Sequence, residues 1–181
     1  MQRVSNTPKI FKEVNGLYKI IPLIPFRKTV GVSFDIVPKN ILSHVDGLDR
    51  VIHRGGALSP GSLGAVKRPW YMHPHQEDHL LVLVGIRYTD LYTPTHGRIE
   101  RFEVSADCIK KNGKVVFKGA AILSWPPHVF HRIRSSKKYG SASLNIARRS
   151  KGFDIKTNFS IYDVNTKNKT YHVIRAGYLD Q

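Results

Sequence analysis

The sequence predicts an all-β fold, a sandwich or a barrel, with few and short helices. Three observations carry that prediction. Short segments rich in Val, Ile, Phe, Tyr and Thr recur along the whole chain. Several alternate with period two, as in Lys156-Thr-Asn-Phe-Ser-Ile-Tyr, where Phe159 and Ile161 fall on one side of an extended backbone. Gly, Pro, Asn and Asp punctuate the segments, and Asn112-Gly113 is a strong tight-turn signal.

Taken in order, residues 1–17 read as an amino-terminal arm and residues 18–181 as a single β-barrel domain. Strands are expected at 20–24, 29–37, 80–92, 98–104 and 114–118. Further strands are expected at 120–125, 130–134, 141–148, 153–164 and 170–175. A helix fits 39–48, and a single helical turn fits 106–111. Residues 38–69 read as a long irregular approach, richest in Gly and Ser over 54–64; loops of that length in a compact domain are often functional.

Composition bounds the class. The chain has 181 residues, 41% hydrophobic and 23% charged, which is globular rather than disordered. The amino terminus, MQRVSNTPKI, carries no apolar signal region. The longest apolar run, residues 18–26, is too short to span a bilayer and contains two prolines. Cys108 stands alone, so no intrachain disulfide can form. The expectation is a soluble cytoplasmic protein with no membrane partner. Lys and Arg number 29 against 13 Asp and Glu, a net charge of +16. Two clusters stand out, one of Arg132, Arg134, Lys137 and Lys138, the other of Arg148, Arg149 and Lys151. Such an excess suits an anionic ligand or loose nucleic-acid attraction. No recognisable nucleic-acid motif accompanies it, so a solvated basic surface is the preferred reading and nucleic acid is not an expected partner.

Five of the 9 histidines fall in two windows, each at the mouth of an apolar strand: His73, His75 and His79, then His128 and His131. On a strand, His73 and His75 would share a face and reach one metal ion together. Gln76-Glu-Asp78 could make a turn, letting His79 face back towards the pair. His131 could join from the second window.

These windows resemble the two motifs of the cupin superfamily. "HPHQEDHLLVLVG" is similar to the first, with paired histidines, a further ligand, then an apolar strand closing on Gly85. "GAAILSWPPHVFH" is similar to the second, a strand after Gly119, then Pro126 and the histidine at 131. The resemblance implies a cupin jelly roll, a double-stranded β-helix barrel, here with extra amino-terminal strands. It also implies a metal at the barrel centre, held by His73, His75, His131 and a further ligand. That ligand falls on His79 by spacing from the histidine pair, and on Asp78 counting back from Gly85; the first count is preferred. The sequence departs from the motifs in lacking the usual glutamate, and His128 stands where a glycine is usual. An all-imidazole set would suit a divalent transition metal (iron, zinc, nickel, copper or manganese) over magnesium or calcium.

Aromatic and arginine residues flank both windows. Arg87, Tyr88, Trp125 and Arg132 are the candidate ligand-binding residues, for a small and possibly anionic molecule. Arg87, Arg132 and Arg134 alternate with apolar neighbours and are expected on one strand face. The leading functional reading is a metal-dependent cupin enzyme, a dioxygenase or isomerase. The alternatives are a metal-free sugar-nucleotide epimerase or isomerase, with His75 as base and Tyr88 as acid, and a non-catalytic binding module. A homodimer is expected, paired through spare terminal strands.

Overall fold

The computed structural model describes residues 9–180. The first eight residues of the expected arm and Gln181 lie outside the described residues. The chain opens with β1 (Lys12–Val14) and β2 (Tyr18–Pro22), a hairpin of β3 (Ile24–Thr29) and β4 (Val32–Ile36), then β5 (Gly47–His53) and β6 (Leu58–Ser59). β7 (Trp70–Tyr71), β8 (Gln76–Gly85), β9 (Arg87–Tyr92), β10 (Glu100–Val104), β11 (Cys108–Lys111) and β12 (Lys114–Lys118) follow. β13 (Ala121–Trp125), β14 (Phe130–Ser135) and β15 (Ser141–Arg149) lead to a one-turn helix, α1 (Ile155–Asn158). β16 (Ile161–Asn165), β17 (Thr170–Arg175) and a 3-10 turn at Gly177–Asp180 complete it.

Apart from the β3–β4 hairpin, which forms a two-stranded sheet of its own, the strands form two antiparallel sheets that face each other, the layout of a jelly roll. A six-stranded sheet runs β1-β2-β13-β8-β15-β5. A nine-stranded sheet runs β12-β11-β10-β9-β14-β7-β16-β17, with β6 also on β14. Alternation decides what each strand contributes. Tyr18, Ile20, Leu80, Leu123 and Trp125 of one sheet meet Leu91, Phe102, Val104 and Ile109 of the other in a closed apolar core. Each such leucine or isoleucine, fully buried, contributes roughly 1.5–3 kcal/mol. This core fills one end of the barrel, and the other end is polar.

Four expectations about local structure are corrected. Residues 39–46 form turns and irregular chain and residues 47–48 begin β5, so no helix lies over 39–48. Ile41 and Leu42 fold over the outside of the six-stranded sheet and pack with Ile21, Leu81, Ile122 and Ile146. Residues 38–69 are not wholly irregular, since they contain β5 and β6. The expected turn at 106–111 is mostly strand β11, because Asn112 and Gly113, with φ of 49° and 80°, make the tight turn that pairs it with β12. The expected strand at 153–164 is broken by α1. Asp154 Oδ1 accepts from Lys156 N at 2.9 Å and caps that turn.

The long segment 80–92 divides into β8 and β9 after Gly85, which has φ of 76°. Gly85 and Gly140 are also points of main-chain contact. A β-carbon on Gly85 would overlap the Gly140 carbonyl, and one on Gly140 would overlap the His53 carbonyl. Strands β8, β15 and β5 are thereby drawn together at the polar end. Among the described residues, no helix is long and apolar enough to cross a membrane.

Candidate functional site

The polar end of the barrel holds a cavity of about 230 Å³. Its chemistry begins at the link between β7 and β8. Pro74 has no N–H and restricts the residue before it, so His73-Pro74-His75 forms a bend and the β8 ladder starts at Gln76, opposite Arg149. Counting from Gln76, the inward side chains of β8 are Gln76 and Asp78. Those turned outward are Glu77 and His79.

Three groups converge. His73 Nε2 lies 3.5 Å from Asp78 Oδ2, and His131 Nε2, from β14, lies 3.9 Å from the same oxygen. The three ligand atoms lie within 4.8 Å of one another, and all three residues are buried. Main-chain carbonyls fix both imidazoles. His73 Nδ1 donates to Asn158 O at 2.5 Å and His131 Nδ1 donates to Val129 O at 3.2 Å. With both Nδ1 atoms acting as donors, each Nε2 presents a lone pair to the centre. Asp78 Oδ1 accepts from Gln76 Nε2 at 2.8 Å, whereas the buried Oδ2 has no hydrogen-bond partner. Burial, with the neighbouring charge of His73, pushes the His131 pKa down to about 4, so that ring is neutral near pH 7.

The predicted ligand set is therefore divided. His73 and His131 come together with Asp78. His75 lies outside the cavity, its ring against Gly152. His79 occupies the opposite face of β8, buried, with neither ring nitrogen hydrogen-bonded among the described residues and Glu77 Oε1 at 3.9 Å from Nε2. Burial lowers its pKa to about 4. A carboxylate, absent from the all-imidazole set, is present beside His73 and His131 as Asp78. Two imidazoles and one carboxylate, with their outer donors and acceptors already engaged, are a donor set suited to a divalent transition metal. His128 has φ of 65°, the left-handed conformation that the usual motif glycine adopts freely, and its N–H donates to His73 O at 2.9 Å.

The predicted ligand-binding residues divide too. Arg87 and Trp125 line the cavity. Arg87 is 0% exposed; its Nε donates to Ser141 Oγ at 3.1 Å and its Nη2 to Val51 O at 3.2 Å. No carboxylate lies within ion-pair distance of it among the described residues. Burial lowers its pKa to about 10, which leaves it a cation. A chain of hydroxyls, Ser141 to Ser135 at 3.0 Å and Ser135 to His53 at 3.0 Å, extends this polar wall. Trp125 Nε1 is buried without an acceptor.

Tyr88 and Arg132 lie outside the barrel. Register pairs Arg87 with Ser135 and Tyr88 with Arg134, so Arg132 and Arg134 share the outer face while Arg87 points inward. The expectation of one shared arginine face is corrected accordingly. Sequence reasoning missed Gln76 and Asn158, which orient the central groups. Asn158 sits on a one-turn helix far along the chain, and no sequence signal links it to His73.

No family model matches this chain, and no curated protein matches it. Among solved structures, it is similar to QdtA, a sugar 3,4-ketoisomerase from Thermoanaerobacterium thermosaccharolyticum in complex with TDP. That likeness covers 78% of this chain and 85% of that one, at a TM-score of 0.51 and 14% identity. A second similar structure is RmlC from Streptococcus suis in complex with dTDP-D-xylose, covering 77% of this chain and 69% of that one, at a TM-score of 0.48 and 9% identity. The first likeness shows a shared fold, the cupin jelly roll.

Proposed function

We propose that this chain is an isomerase of the cupin fold. It takes a small anionic organic ligand into its barrel and moves a proton on it. One observation carries the reading: two imidazoles, each with Nδ1 committed to a main-chain carbonyl, aim Nε2 at one buried carboxylate oxygen beside a cavity that Arg87 enters. His131, neutral near pH 7, is the base that takes a proton from a carbon beside the ligand's carbonyl group. The proton is returned to a neighbouring centre, so the ligand's composition does not change. Arg87 holds the anionic group and Trp125 Nε1 supplies one orienting donor. The cavity, at about 230 Å³, is below the roughly 300–1,000 Å³ of pockets for drug-sized ligands, which favours a ligand near the size of one sugar ring. The ketoisomerase activity named for QdtA supports isomerisation over oxidation.

A second reading keeps the same site and adds a metal. The buried Asp78 Oδ2, which makes no hydrogen bond among the described residues and faces both Nε2 atoms, favours it. His73, Asp78 and His131 would hold the ion, which would polarise the ligand's carbonyl. Elemental analysis of tag-free protein separates the two. Stoichiometric metal, lost in His73→Ala and His131→Ala, supports the metal site. Metal-free protein that exchanges solvent deuterium into a bound keto-sugar nucleotide supports the imidazole base alone, and absence of exchange with or without metal overturns the isomerase reading.

A homodimer is part of the proposal. Among the described residues the β3–β4 hairpin pairs with no third strand, and it exposes Phe26 (70%), Val32, Phe34 and Ile36. Two-stranded hairpins are marginal alone in water. A monomer mass by light scattering would overturn this part.

A further inference from the structure

The outer face of the nine-stranded sheet bears a larger cavity than the barrel does, about 830 Å³. Arg68, Tyr88, Asp90, Arg101, Glu103 and Arg134 line it. Both acids are already engaged: Asp90 pairs with Arg132 at 2.9 Å, and Glu103 with Lys110 at 3.3 Å. Arg68, Arg101 and Arg134 pair with no carboxylate among the described residues. Arg68 Nη1 is buried and makes no hydrogen bond. Three guanidinium groups around one hollow are only partly offset by Asp90 and Glu103: burial and the charges of Arg132 and Arg134 lower the Arg68 pKa, although Asp90 acts in the opposite direction.

Of the three, Arg134 is held in place, with Arg132 fixed beside it. The Arg134 guanidinium lies over the Tyr88 ring at 4.3 Å, and that of Arg132 lies over Trp70 at 4.0 Å. Arg132 Nη1 also donates to Arg68 O at 2.8 Å, which ties the segment before β7 to the strand. Guanidinium forks match the several oxygens of a phosphoryl group, and Arg134, already set against its ring, loses little freedom on binding one.

We infer that this outer cavity is a second anion site, separate from the barrel, and that it takes a compact phosphate-bearing ligand through Arg68, Arg101 and Arg134. Asp90 and Glu103 interrupt the basic surface, which disfavours a long strand of phosphodiesters and favours a small group such as a diphosphate. The inference does not depend on the reaction proposed for the barrel.

Isothermal titration of the full chain with inorganic pyrophosphate tests it. Arg134→Ala and the exposed Arg101→Glu should each weaken binding by about tenfold or more, that is by at least about 1.4 kcal/mol. Arg87→Met, inside the barrel, and the exposed Lys137→Ala should leave binding within twofold. Loss in Arg87→Met with retention in Arg101→Glu would put the anion in the barrel and overturn the inference. So would a ten-nucleotide single strand that binds more tightly than pyrophosphate and ignores Arg101→Glu. Thermal melts of each variant confirm folding, and Arg101→Glu at an exposed site keeps the test decisive if Arg134→Ala fails to fold.

Discussion

Strands β9 and β14 carry two sets of side chains on one stretch of paired backbone, with different environments. Inward, Arg87, Thr89, Leu91, His131 and Ile133 are buried. Outward, Tyr88, Asp90, Arg132 and Arg134 are half-buried and held by ring stacking and ion pairs. The inner set faces a low-dielectric space, where each polar group needs a partner or a ligand. The outer set faces water, where single contacts are weak. A residue's parity on these strands therefore decides its weight more than its chemical type does. Arg87 and Arg134 are the same amino acid on neighbouring strands with different tasks.

The largest expected contrast is catalytic. His131→Ala should lower turnover by about 10²–10⁴-fold, the usual range for a lost general acid or base, while Arg132→Ala beside it stays within about twofold. Steady-state kinetics checks this, and equal losses would break the comparison. Next in size is packing. Leu91→Ala, on the inner face at 0% exposure, should destabilise the fold by about 2–5 kcal/mol in urea titrations. Replacing Arg87 with Met should weaken binding of an anionic barrel ligand by about tenfold or more, measured by calorimetry.

A smaller effect is set by pH. Burial and the Arg87 charge lower the His53 pKa to about 4, below the ordinary 6.5. Between these values the unfolded chain binds more protons than the folded one. The stability from neutral His53 is whole above about pH 6.5 and is lost as pH falls towards 4. His53→Gln should flatten the fall in Tm between pH 7 and pH 5. The smallest effect belongs to the outer face: Arg132→Ala should cost about 1 kcal/mol or less despite its ring contact and ion pair.

Much of this was legible in the chain. Strand-forming residues between turn signals announced a β barrel, and the two histidine windows located its chemical end. His73 and His131 were readable because each sits beside a proline-marked bend. What failed was parity. One misplaced turn, put at Gln76-Glu77-Asp78 instead of His73-Pro74-His75, reverses every side chain after it and exchanges His79 for Asp78. The same limit placed Arg87 with Arg132 and Arg134, since their relation depends on the pairing of residue 87 with 135, a long-range fact. The helix expected at 39–48 failed because its apolar residues cover a neighbouring sheet instead of forming a stripe of their own.

The glycines at 85 and 140 have a hereditary consequence. Neither lines the barrel cavity, so neither would be chosen in a survey of functional positions. Yet a single methyl group at either must push apart the main chains of β8, β15 and β5, and β5 carries the carbonyl of Val51 that steadies Arg87. Loss-of-function alleles are expected at these two codons as at the histidines, arising from crowding of the backbone with every reactive group intact.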